Sequence, residues 1–266
     1  MILKITRSKI ILIILLHLFC VKIFSQKVND FWDVGEELTY EVSYSLIKLG
    51  TIKFTTLEKI EENKKAYYRT IVNIDSYSSI PFVDLHYTLE SKIQNDDFHS
   101  VYFKSLDKRK DKSFFIEYTF DEISKDTHVK KGRFPPYKVD ADSICDLNHT
   151  YQDGLSLFYF ARLLVGKDTS IAAKAFIEEK LEDVSINYSS KNHLIEISEF
   201  DEKIKTNRLS GKTELVGIFG MTGEFEGYFS ADKKAIPIKA SLNVILGKIN
   251  IELIKWKTKE WSPPIK

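Results

Sequence analysis

Apolar and polar residues alternate with a period of two through most of this chain. Leu38, Tyr40, Val42, Tyr44 and Leu46 are apolar, and Thr39, Glu41, Ser43 and Ser45 between them are polar. A strand points successive side chains to opposite faces, so this run predicts a strand with one buried and one wet side. The pattern returns at Val83, Leu85, Tyr87 and Leu89, at Phe114, Ile116, Tyr118 and Phe120, from Ile236 to Leu246, and at Ile249, Ile251 and Leu253. Turn formers separate the runs: Leu49-Gly50, Glu62-Asn63, Asn95-Asp96-Asp97, Lys191-Asn192, Thr222-Gly223 and Leu246-Gly247-Lys248. Roughly a dozen short strands at this spacing predict an antiparallel sheet. So large a sheet does not stay flat. The expected fold is therefore mostly β: a strongly curved antiparallel sheet or partial barrel.

One segment breaks the period. In DGLSLFYFARLLVGK, Asp153 can cap a helix start, Gly166 can end it, and nearly every residue from Leu155 to Val165 is apolar. A helix of about three turns that is apolar almost all round belongs in a core. It is expected to be buried on the concave side of the sheet. Between Lys130 and Thr150, Pro135, Pro136 and weak periodicity read as a long connection. The segments on either side show no closed set of strands of their own, so residues 26–266 are expected to form one domain.

The amino terminus supplies an address. Lys4, Arg7 and Lys9 precede an apolar run from Ile10 to Phe19, and small Ser25 stands before Gln26. That layout is a secretory signal peptide over residues 1–25. Lys22 ends the run short of the roughly 20 residues a membrane anchor needs, and bulky Phe19 before Cys20 argues against lipidation. The mature chain is expected to be exported to the periplasm or cell envelope and to be soluble there. Losing four of the 39 basic residues leaves 35 against 38 acidic ones, a net charge of −3. Nothing in that balance favours nucleic acid. Cys145 remains the only cysteine, so no internal disulfide is expected. No later run approaches a membrane span.

Candidate chemistry is sparse. The histidines form no HxxxH pair and Cys145 has no CxxC partner, so no metal site is expected. His86, beside Asp84, reads as a solvated strand residue. Ser156 lacks the flanking glycines of a nucleophile elbow and reads as a structural serine of the helix start. Asp140, Asp142 and Asp146 lack the sixth-position glycine and twelfth-position acid of a calcium loop. Lys108 to Lys112 reads as a solvated hairpin tip. Glu36-Glu37 and Glu61-Glu62 are adjacent, so on strands they point to opposite faces and make poor acid–base pairs. No catalytic, cofactor-binding or metal-ligating residue and no cofactor is assigned. Aromatic residues make up 13% of the chain, enough to fill a core or to hold a lipid tail or sugar.

Three segments resemble a family of exported bacterial proteins known as DUF3108. They are GEELTYEVSYSLIKLGTIKF from Gly35, with Gly35, Leu38, Tyr40, Val42 and Gly50; the helical segment, with Asp153, Ser156, Tyr159 and Arg162; and GIFGMTGEFEGYFSADKKAIPIKA. In the last, Gly217, Phe219, Gly227, Ser230, Asp232, Ile236 and Pro237 match a strand–turn–strand pattern. Residues 121–150 match no part of it. The resemblance implies an envelope protein with a β-rich fold and assigns no activity. Together these readings point to a non-enzymatic binding module for an apolar or amphipathic molecule, such as a lipid, or for an envelope protein partner. The alternatives are a hydrolase of an envelope polymer, with acids such as Asp84 and Glu90 brought together, and a structural assembly factor.

Overall fold

The computed structural model describes residues 31–81, 83–213, 221–244 and 247–265. The expected signal peptide and the motif residues Gly217 and Phe219 lie outside them. The described chain forms one antiparallel sheet of fourteen strands. Strands β1 (Glu37–Tyr44), β2 (Ile47–Glu62), β3 (Lys65–Ser76), β4 (His86–Gln94), β5 (Ser100–Lys108), β6 (Ser113–Phe120), β7 (Asp126–Phe134) and β8 (Lys138–Asp146) follow one another as a meander. A short helix, α1 (Ser156–Phe160), precedes the second meander. This comprises β9 (Thr169–Ile177), β10 (Lys180–Ile197), β11 (Phe200–Thr213), β12 (Met221–Ser230), β13 (Pro237–Val244) and β14 (Gly247–Lys257).

The two meanders join where β1 pairs with β14, so the sheet is not closed and its edges are β8 and β9. The edges still approach other parts of the molecule. Tyr118 on β6 and Phe176 on β9 have ring centroids 4.9 Å apart. The segment before α1 bridges the gap: Tyr151 O accepts from Ser100 N at the start of β5, and Gln152 pairs in parallel with Ala175 on β9.

The opening strand forms as its alternation dictates, with Leu38, Tyr40 and Val42 buried. The hairpin turns at Ser45-Leu46, however, and Leu49-Gly50 and Lys191-Asn192 lie inside β2 and β10 rather than in turns. Gly50 lies where a Cβ would stand 2.2 Å from Asp75 O, so only glycine lets β2 approach β3 there.

Two further expectations require correction. Residues 130–150 are not a long connection: β7 and β8 run through them as a hairpin, with Pro135 and Pro136 in its turn. The periodicity is missing because β8 is an edge strand exposed along nearly its whole length. With neither face buried, nothing selects for alternation.

The helix is also shorter than expected. After five residues its i→i+4 bonds give way to i→i+3 bonds at Arg162, Leu163 and Lys167. Bulky side chains in this stretch go to different clusters. Phe158 packs with Phe54, and Leu164 and Val165 pack against the group around Leu209 and Phe229. Tertiary packing overrides helix continuation in so short a segment.

Candidate functional site

Apart from Leu155, the fully buried residues of the helical segment are its polar ones. Asp153, Ser156, Tyr159 and Arg162, three positions apart, are each at most 2% exposed, whereas Leu157, Phe158, Phe160 and Leu163 are half-buried. Asp153 and Ser156 cap the segment reciprocally. Asp153 Oδ1 accepts from Leu155 N and Ser156 N at 2.7 and 2.6 Å, and Ser156 Oγ accepts from Asp153 N at 2.8 Å. Ser91 Oγ on β4 donates to Asp153 Oδ2 at 2.6 Å. Burial raises the Asp153 pKa, against the opposing pull of the Ser100 and Ser91 hydroxyls and the two N–H donors. Tyr159 stacks on Trp32 at 4.3 Å and its hydroxyl lies 3.2 Å from Thr56 Oγ1.

Arg162 is where the three sequence segments that carry the family resemblance meet. Its Nη1 and Nη2 donate to Glu36 Oε1 and Oε2 at 2.6 and 3.0 Å. Nη2 also donates to Lys234 O, in the turn between β12 and β13, at 2.8 Å. That turn is built as its sequence suggests: Asp232 Oδ1 accepts from Lys234 N and Ala235 N, and from Ser230 Oγ at 3.0 Å. Being closed to solvent, this constellation organises structure rather than chemistry.

Beside it lies an accessible cavity of about 290 Å³, at the small end of the roughly 300–1,000 Å³ typical of ligand sites. One wall is the helical segment, with Leu157, Phe158 and Ala161. The other is the sheet, where Ile186, Leu209, Phe225, Phe229, Ala240 and Leu242 on β10 to β13 face it. Tyr40 and Phe54 lie at the end where Phe158 stacks on Phe54 at 3.7 Å. The lining is almost wholly aliphatic and aromatic. Such a wall can hold an apolar chain by excluding water. The two charged residues that line it, Glu226 and Lys239, are paired with Arg208 at 2.8 Å and Glu252 at 2.6 Å.

The candidate residues singled out from the sequence fall elsewhere. Asp84 and Glu90 are not brought together: Asp84 contacts His86 Nε2 at 3.1 Å, and Glu90 pairs with Arg69 at 2.6 Å. The His86 ring also bonds Asp75 at 2.8 Å, and that bond raises its pKa. Ser156 has no exposure. Asp140 and Asp142 pair with Arg133 and His128 along the exposed β8 edge. Lys108 to Lys112 form the β5–β6 tip. Glu36 and Glu37 do point opposite ways, but sequence reasoning misses that Glu36 is the buried partner of Arg162. It also misses the cavity wall, although Val184, Ile186 and Tyr188 alternate with Asp183, Ser185 and Asn187. Among the described residues no helix is long and apolar enough to cross a membrane.

A family model described as "Protein of unknown function (DUF3108)" matches residues 39–254, running through 121–150. No curated protein matches this chain. Among solved structures, the chain is similar to a beta-barrel-like protein of the domain of unknown function DUF1849 from Brucella abortus. The TM-score is 0.50 at 11% identity, over 86% of this chain and 99% of that one. A structure described as "a putative lipoprotein" from Parabacteroides distasonis matches with a TM-score of 0.33 at 8% identity, over 85% and 96% of the two chains. The first likeness supports a barrel-like fold, consistent with the open sheet.

Proposed function

The chain belongs to the DUF3108 family, and on that premise we propose that it is a non-enzymatic binding module for one apolar or amphipathic molecule, working outside the cytoplasm. The observation that carries this reading is the apolar cavity between the helical segment and strands β10 to β13. In this reading the sheet curves into a cup with α1 on its hollow side, and the buried Asp153–Arg162 stripe fixes the lid of the cup. Burying an acyl chain contributes roughly 0.8 kcal/mol per methylene. A segment of about eight methylenes therefore gives ~6 kcal/mol, a dissociation constant on the order of tens of micromolar. The signal peptide layout of residues 1–25 supports export, with a mature terminus at Gln26 that N-terminal sequencing would reveal.

The test is uptake of a fluorescent fatty acid by the wild type and by Ala240→Phe, whose ring would occupy the cavity. Wild-type binding that the substitution abolishes, with the melting temperature retained, supports the reading. No binding by the wild type, or equal binding by both, rejects it. Mass spectrometry of lipids extracted with the protein from its native envelope would identify the ligand.

A further inference from the structure

We propose that one end of the sheet, carrying the β1–β2 and β5–β6 tips, rests on the surface of an anionic phospholipid bilayer. Strand pairing places the β1–β2, β3–β4, β5–β6 and β7–β8 connections at this same end, because each successive hairpin returns there. At the β1–β2 tip Leu46 is 96% exposed and Ile47 is 55% exposed. Val83 in the β3–β4 connection and Tyr137 in the β7–β8 connection are exposed as well. Between these apolar tips stands a basic one, with Lys108, Lys110 and Lys112 all exposed. The β9–β10 turn, placed at this end by the same alternation, adds Glu178 and Glu179, so the charges are mixed and the positive charge is local to the β5–β6 tip. Arg109 is tied to Asp107 and Lys48 to Glu41, while Asp84 and Asp111 add negative charge.

The opposite end is different. Its turns carry Asp96, Asp97, Asp121 and Glu122 together with Lys64 and Lys125. Lys65, at the start of β3, is paired with Glu122, and Ile123, 95% exposed, stands next to that pair. Single exposed apolar residues are ordinary on any protein surface. What is unusual is their gathering on either side of a tip that carries three exposed lysines, Lys108, Lys110 and Lys112. Apolar side chains that enter the acyl boundary, flanked by cations that meet anionic headgroups, are the physical signature of an interfacial membrane contact.

The tip is also continuous with the cavity wall. Ile47 pairs with Tyr44, Tyr44 with Ile249, Ile249 with Leu242, and Leu242 with Phe225. Cross-strand partners share a face, so Ile47 ends a row in which Leu242 and Phe225 line the cavity. A bilayer touching Ile47 lies in line with that wall. The inference goes beyond the binding reading and stands without it, because it concerns a surface rather than the cavity.

The experiment uses the full chain with vesicles of phosphatidylcholine containing a minor fraction of phosphatidylglycerol, whose acyl chains are brominated. Leu46→Trp and Ile123→Trp place a reporter at each end, on exposed turns where folding is little affected. Emission from the Leu46→Trp protein beyond that of the native tryptophans should shift to the blue and lose intensity to the brominated chains. Emission added by Ile123→Trp should not change. Replacing Lys108, Lys110 and Lys112 with Gln in the Leu46→Trp background should reduce the loss in anionic vesicles and leave it unaltered in pure phosphatidylcholine. Because the readout is local, attachment through the amino terminus cannot imitate it. No quenching at position 46, or equal quenching at 46 and 123, overturns the proposal and leaves fatty-acid uptake unaffected.

Discussion

Arg162 and Glu36 lie 126 positions apart and meet in the interior through two charge-assisted hydrogen bonds of 2.6 and 3.0 Å. Removing one partner of a buried pair leaves the other charge unpaired, at a cost of about 3–5 kcal/mol. Arg162→Met and Glu36→Gln are each expected to lose that much in urea titration. The double variant should lose less than the sum of the two, because no charge is then stranded. Strict additivity would show that the pair is not coupled.

Asp153 is expected to tolerate an amide better than a methyl group. Asn keeps the oxygen that accepts from Leu155 N and Ser156 N, and Ser91 can turn its hydroxyl to accept from the new amide. Asp153→Asn should therefore be near neutral, whereas Asp153→Ala should cost about 1–3 kcal/mol. The pH dependence has a definite sign. Because burial raises the folded pKa above the ordinary 3.8, the folded state holds its proton longer than the unfolded one. This carboxyl's contribution is full below 3.8 and is lost as pH rises through the folded value. Asp153→Asn should remove that fall from the stability profile; an unchanged profile would refute the assignment.

Tyr159 and Phe158 are adjacent yet should respond differently. Tyr159 is 1% exposed and stacked on Trp32, so Tyr159→Ala should cost about 3–5 kcal/mol. Phe158 borders the cavity and is only half-buried. Its replacement by Ala should cost about 1–3 kcal/mol and enlarge the site, measurable as uptake of a bulkier fluorescent lipid. Equal losses with unchanged uptake would put Phe158 in the sealed core instead.

Glu37 joins β1 to both neighbours through Lys53 at 2.6 Å and Lys257 at 2.9 Å. Hydrogen bonds from these lysines lower its pKa from 4.5 to about 2. A depressed carboxylate stabilises above its unfolded value and loses that contribution as pH falls through the folded one. Glu37→Gln should therefore flatten the acid side of the stability curve between 4.5 and about 2, relative to wild type.

Where one face is buried and one wet, the sequence announces the element. Leu38 to Tyr44 and the Asp232 turn form as read, because local chemistry decides them. Residues 138–146 give no such signal, since an edge strand exposed on both faces needs no alternation. The helical segment misleads in a different way. Its apolar residues suggest a sealed helix, but the cavity takes one side of Phe158 and Ala161, and beside Leu155 the interior holds Asp153, Ser156, Tyr159 and Arg162. Buried polar residues cannot be told from exposed ones without their partners, and Glu36 is too distant in sequence to be recognised as one. The cavity depends on how far helix and sheet stand apart, a spacing that no periodicity records.

The pairing of β1 with β14 also dictates an order of assembly. Every other neighbouring pair in the sheet is consecutive in the chain, so each forms by closing a short loop. Joining Glu37 to Lys257 closes 220 residues, about 3 kcal/mol more costly in chain entropy than closing a ten-residue hairpin. The two meanders are therefore expected to form first and the seam last, once the final strand is available. Until then β1, with its apolar face and unpaired backbone, is an open edge that could join the wrong neighbour. The interval before the last strand arrives is when this protein is most exposed to aggregation.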